Sequence, residues 1–227
     1  MANFVVGMVT QLTGALISAV GSMAEAAEDS AGAAVRHGDQ PLLLFVGRFR
    51  YYKGLSYLLD ALPQVPRAHL ILVGAGPEEQ ALRRQVGQLG LGERVTFAGS
   101  VSDTELPAYL AAADLYVLPA CLRSEAFGLG LVEAQAAGLP AVTTELGTGT
   151  SYVNAKGETG LVTPPMDPPA LAQAITTLLE NEDQRQAMGQ AARRRAARLF
   201  DIGRVASDVA NVYREVASPE KGVKQRV

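Results

Sequence analysis

Two glutamates are the first residues in this chain whose type and spacing could do chemistry. Glu125 and Glu133 stand eight residues apart in Ser124-Glu-Ala-Phe-Gly-Leu-Gly-Leu-Val-Glu-Ala134, with only small and apolar residues between them. Two carboxylates can share general acid–base work, or accept hydrogen bonds from a polyol. The glycines suit a loop that opens a helix, and the free N–H groups of such an opening suit a phosphate. Plainer roles compete, since a Glu ahead of a helix favours its dipole and one inside it can face water. Glu133 fits the plain role poorly: Leu131, Val132 and Ala134 beside it are apolar, and a buried charge needs a partner. A ribose diol would supply two hydroxyl donors.

A second set is basic. Arg48 and Lys53 straddle the loop Gly47-Arg-Phe-Arg-Tyr-Tyr-Lys-Gly54. Together they could hold the oxygens of one diphosphate, Arg as a fork and Lys as a point charge; a solvated loop with routine basic residues is the alternative. Gly74-Ala-Gly-Pro77 is a weaker signal, because it lacks the third glycine of a dinucleotide fingerprint. The run Gly147-Thr-Gly-Thr-Ser151 could donate N–H and hydroxyl groups to a ligand, or simply turn the chain. Metal ligands are lacking: Cys121 is the only cysteine, His37 and His69 lie far apart, and no Asp-x-Asp occurs.

The elements that must position these residues alternate regularly from Pro41. Apolar runs predict strands at Leu42–Val46, His69–Val73, Val95–Ala98, Leu115–Leu118, Ala141–Thr144 and Gly160–Val162. Helices are expected from about Gly54 to Leu62, and from Pro77, as first helical residue, to near Gly90. Ser102-Asp-Thr-Glu105 reads as a capping box for a helix through Ala112. A helix carrying Glu133 ends at Gly138. Asp167 caps a helix to about Leu179, and two more run near Asp183–Leu199 and Ile202–Val216. Strands alternating with helices imply an α/β fold, a doubly wound, Rossmann-like parallel sheet with ligands at the carboxyl ends of its strands. The expected division is residues 1–40 as an extra apolar helix plus linker, 41–217 as the α/β domain, and 218–227 as a polar tail.

Residues 2–24 carry no charge. Thr10, Gln11, Thr13, Ser18, Ser22 and the glycines dilute this stretch below a typical membrane span, and a secretory signal would need a basic start. Its helical wheel is broadly apolar with a narrow stripe of small and polar residues. Three readings stay open: residues 4–24 pack on the body or on a second copy of the chain, they lie at or enter a membrane with Gly14, Ser18 and Ser22 as a pairing face, or they are a poorly ordered leftover. A formal net charge of −3 gives no electrostatic case for nucleic acid. One cysteine allows no intrachain disulfide, which fits a cytoplasmic protein, at the inner face of the membrane in the second reading.

Taken together, Phe45-Val-Gly-Arg48 with Tyr52-Lys-Gly54, Leu72-Val-Gly-Ala-Gly-Pro77, Val95-Thr-Phe-Ala-Gly99, the Glu-x7-Glu pair at 125 and 133, Gly138-Leu-Pro140 and Thr159-Gly-Leu-Val162 resemble the C-terminal, donor-binding half of a GT-B retaining glycosyltransferase of the group 1 family. The resemblance covers residues 41–215. It implies transfer of a hexose from a nucleoside-diphosphate sugar, GDP- or UDP-linked, with no cofactor and no metal. Arg48 and Lys53 would hold the diphosphate, and the backbone of Phe127, Gly128 and Leu129 would add N–H groups. Glu133 would bind ribose, Glu125 would lie near the transferred sugar, and backbone at Val95 and Phe97 would face the base. On this reading the catalytic set is Glu125, Arg48 and Lys53. The segment from Thr144 to Asn154 departs from the commonest family pattern and resembles a subgroup associated with bacterial surface polysaccharides. The family also carries an acceptor-binding N-terminal domain that the first 40 residues do not resemble. The chain alone is therefore expected to be inactive in transfer, with a separate acceptor-binding domain as its partner. A non-catalytic nucleotide-sugar binding module and a membrane-associated assembly component on the same fold are the alternatives.

Overall fold

The computed structural model describes residue 35 and residues 39–65 and 67–217. The apolar helix expected over residues 4–24 and the polar tail lie outside the described residues. Six strands form one parallel sheet in the order β3-β2-β1-β4-β5-β6. They are β1 (Leu42–Val46), β2 (His69–Val73), β3 (Val95–Gly99), β4 (Leu115–Leu118), β5 (Ala141–Thr144) and β6 (Gly160–Thr163). A parallel sheet is covered on both faces by its crossover helices, so its inner strands read as continuous apolar runs. All of β2, β4 and β5 is buried, as is β1 up to Phe45.

The helices are α1 (Leu55–Ala61), α2 (Glu79–Gln88), α3 (Leu106–Ala112), α4 (Leu129–Ala136), α5 (Gly149–Val153), α6 (Pro168–Glu180), α7 (Glu182–Leu199) and α8 (Ile202–Ala217). α1 packs against α2 and α6, while α4 packs against α7. The Asp167 carboxylate accepts from Ala170 N at 3.0 Å and opens α6, and Asn181 caps α7 through Gln184 N.

Three local expectations change. Pro77 does not begin α2: it lies in a turn, and the helix starts at Glu79 because Glu78 N is drawn to Phe49 O (3.3 Å). Only half of the capping box forms. Glu105 Oε2 accepts from Ser102 N and Oγ at 2.8 and 2.7 Å, but Glu105 N donates to the Ser102 carbonyl, so α3 begins at Leu106. Part of the 147–151 run, read as a donor segment or a turn, coils into α5.

Strand order reverses between β1 and β4, which are neighbours in the sheet. Their following connections leave in opposite directions, and the crevice this opens at their carboxyl ends is where such folds bind ligands. Arg48 and Lys53 follow β1, and Glu125 follows β4.

Candidate functional site

The loops after β1 and β4 are zipped together. Cys121 N donates to Tyr52 O at 2.8 Å, and the Cys121 thiol faces Tyr51 O at 3.4 Å. A one-turn 3-10 helix, Tyr51–Lys53, ends at Gly54 with φ +69°. A Cβ at Gly54 would stand 1.9 Å from Pro119 O, so glycine alone permits this left-handed turn and this approach. The contact brings Lys53 Nζ into an ion pair with Glu125 Oε2. Both side chains are shielded, with 14% and 7% of their surface exposed. Apart from the ammonium, Oε2 meets no hydrogen-bond donor among the described residues.

Glu125 is held from behind. Its N–H donates to Leu122 O at 3.1 Å, its carbonyl accepts from Thr148 Oγ1 at 2.8 Å, and Ala126 O accepts from Gly149 N at 2.8 Å. Thr148 and Gly149 of the Gly147–Ser151 run are thus turned toward the Glu125 loop. Gly147 N and Ser151 Oγ both donate to Glu145 Oε1, at 2.8 and 2.7 Å. Thr148 Oγ1 and Gly149 N support the Glu125 loop, and Gly147 N and Ser151 Oγ are committed to Glu145.

Gly128 introduces α4 with φ +85°. Leu131 N and Val132 N donate to Gly128 O, whereas the N–H groups of Phe127, Gly128, Leu129 and Gly130 have no protein acceptor among the described residues. Phe127 and Leu129 are exposed. One turn on, Glu133 is half-buried. Burial, and secondly the Asp103 charge, push its carboxyl up to about 7. Tyr116 on β4 lies between the two carboxylates electrostatically. Its buried hydroxyl donates to Val46 O at 3.2 Å, and burial followed by the charges of Glu133 and Glu125 raises its pKa.

Arg48 is exposed and lines an open cleft of about 400 Å3 with Gly74, Ala75, Gly76 and Ser100. The loops after β1 and β2 meet there: Gly47 N donates to Val73 O and Phe49 N to Ala75 O, each at 3.0 Å. A Cβ at Gly76 would come within 2.3 Å of Phe49 O. The Gly-Ala-Gly turn therefore serves loop contact.

The structure brings Arg48, Lys53, Phe127, Gly128, Leu129, Glu125 and Glu133 to the carboxyl edge of the sheet. It does not bring Val95, the first residue of β3, which starts at the opposite edge and is buried. Phe97 is half-buried in mid-strand, its ring packed edge-on to Phe49 and covered by the Arg83 guanidinium at 4.2 Å. At the carboxyl edge of β3 stand Gly99 and Ser100 instead. Sequence reasoning missed Ser100, Asp103 and Tyr116, and read Thr148 as a ligand donor in its run rather than as a support for Glu125. A tyrosine within the aliphatic run Leu115-Tyr-Val-Leu118 was the available signal for Tyr116; the others are small polar residues in polar loops. No cluster of three or more His, Cys, Asp or Glu side chains able to hold a metal occurs among the described residues.

Known proteins resemble this chain in sequence and in fold. The sequence profile described as "Glycosyl transferases group 1" matches residues 28–195. The D-rhamnosyltransferase WbpZ of Pseudomonas aeruginosa is 48% identical over 157 residues, 69% of this chain and 41% of the relative. O-antigen chain mannosyltransferase C of Escherichia coli is 39% identical over 170 residues, 75% of this chain and 45% of the relative. The chain spans less than half the length of both. Among solved structures, Anabaena Alr3699/HepE in complex with UDP superposes with a TM-score of 0.77 at 28% identity, covering 83% of this chain and 53% of that one. With a parallel sheet in GT-B style and a match across most of its length, the chain belongs to the group 1 glycosyltransferases, of which it forms a partial, C-terminal-like domain.

Proposed function

We propose that residues 41–217 are the donor-binding domain of a retaining glycosyltransferase that moves a hexose from a nucleoside-diphosphate sugar to a glycan or lipid-linked acceptor. The observation that carries this reading is the meeting of Arg48, the Lys53–Glu125 pair and the open start of α4 at the switch point of the sheet. Arg48 and Lys53 are the diphosphate clamp, supplying without a metal the positive charge that stabilises a departing diphosphate. The N–H groups from Phe127 to Gly130, without an acceptor among the described residues, add donors at a helix start. Glu133 accepts from the ribose hydroxyls, and Glu125 sits beside the transferred sugar. The cleft between Arg48, Gly74–Gly76 and Ser100 receives the base. Names of relatives support the substrate class: one is a rhamnosyltransferase, one a mannosyltransferase, and a structural neighbour is a UDP complex.

Acceptor binding and closure of the cleft fall to a separate domain, because transfer needs water excluded and both substrates aligned. Calorimetric titration with GDP and UDP tests the donor site. One of them is expected to bind, and Arg48→Ala and Lys53→Ala each to weaken it at least tenfold. Absence of binding by both nucleotides, or full binding by both variants, overturns the assignment.

A further inference from the structure

A second pocket, of about 290 Å3, opens on the flank of α7 and is lined by Glu158, Ala191, Arg194, Arg195 and Arg198. It shares no lining residue with the carboxyl-edge cleft. Positions 191, 194, 195 and 198 fall on one face of a 3.6-residue repeat, and Ala191 keeps that face low between the long side chains. Arg195 is anchored: its guanidinium donates to Tyr152 O at 2.6 Å and Val153 O at 3.3 Å, and it stacks over the Tyr152 ring at 5.3 Å. Arg194 and Arg198 are exposed, with no salt bridge and no hydrogen bond to any described residue. Glu158, in the turn before β6, is the one acidic lining residue and pairs with neither. The pocket therefore carries surplus positive charge.

The fold itself explains only part of this surplus. Like charges four residues apart, as at 194 and 198, weaken a helix. The partial negative charge at a helix C-terminus accounts for Arg198 in the last turn, and Arg195 is held by the Tyr152 and Val153 carbonyls, which leaves Arg194 unexplained. Guanidinium forks match the oxygens of a phosphate, and the pocket has room for a phosphate with a small alcohol attached. We propose that this pocket binds a phosphate ester, independently of the nucleotide site. Two sources share that chemistry, a soluble sugar or polyol phosphate and the headgroup of an anionic phospholipid.

The test uses the whole chain with two probes: sn-glycerol 3-phosphate by calorimetry, and sedimentation with vesicles of phosphatidylglycerol in phosphatidylcholine against phosphatidylcholine alone. At least one probe is expected to bind. R194Q/R198Q should lower that affinity about 25-fold, roughly fivefold per arginine removed, with an unchanged melting temperature because both side chains are exposed. R48A should leave it unaltered, and R194Q/R198Q should bind GDP or UDP as the parent does, which separates this site from the donor site. Glycerol phosphate binding identifies a soluble ester; binding confined to phosphatidylglycerol vesicles identifies a headgroup. The proposal is overturned if neither probe binds, or if R194Q/R198Q binds them as well as the parent.

Discussion

Lys53 and Glu125 depend on each other. Removing one partner of a shielded ion pair strands the other charge and costs about 3 kcal/mol, whereas removing both restores much of the loss. Lys53→Ala is therefore expected to destabilise the chain by that order and Lys53→Ala/Glu125→Ala by distinctly less, measured by urea unfolding. Equal losses in the single and double variants would show that the pair is not coupled. Glu133 has the opposite character. Its folded pKa is raised to about 7 by burial and by Asp103, so between about pH 4.5 and 7 the folded chain binds more protons than the unfolded one. Its contribution is fully present below the unfolded value and is lost as pH rises through 7, by up to about 3 kcal/mol. Unfolding midpoints should fall from pH 5 to pH 8, and Glu133→Gln should flatten that slope. On the proposed role of Glu133 at the ribose, the ionised carboxylate is the stronger acceptor, so nucleotide affinity should rise over pH 6 to 8, and this trend should vanish in the same variant.

At the scale of elements, loops rather than strands do the positioning. The loop after β1 is pinned on one side to the loop after β2, through Phe49 and Ala75, and on the other to the loop after β4, through Tyr52 and Cys121. Gly54 is the tightest joint. Gly54→Ala forces a left-handed conformation on a residue with a Cβ and drives that Cβ into the Pro119 carbonyl, so a loss of at least about 3 kcal/mol is expected. Nucleotide binding should fall with it, since Lys53 is the preceding residue; a variant as stable as the parent would contradict this account of the joint. α5 and the Thr148 hydroxyl form the back support of Glu125. Thr148→Val keeps the shape and removes the hydrogen bond, so it should weaken donor binding more than it lowers stability.

At the scale of the molecule, the chain spans less than half the length of the two relatives described above. α8 shows Val212, Tyr213 and Val216 to solvent, an apolar face on an amphipathic helix. No helix among the described residues is long and apolar enough to cross a membrane. With the acceptor wall assigned to another domain, the purified chain should bind nucleotide sugar yet produce no glycosylated acceptor; measurable transfer would refute the division of labour. Sheet class, strand positions and the order of the motifs were legible in the sequence, because continuous apolar runs separated by capped helices allow little besides a covered parallel sheet. The placement of Arg48, Lys53 and Glu125 at one sheet edge was legible too, since each follows a strand there, with Glu133 one turn into the next helix. Only the tertiary structure decided which of their partners are spent internally. The Gly147–Ser151 donors turn toward Glu145 and Glu125, the Gly-Ala-Gly turn packs a neighbouring loop, and Val95 begins its strand at the far edge. Such contacts join residues distant in sequence, and local spacing carries no record of which loop a loop will touch.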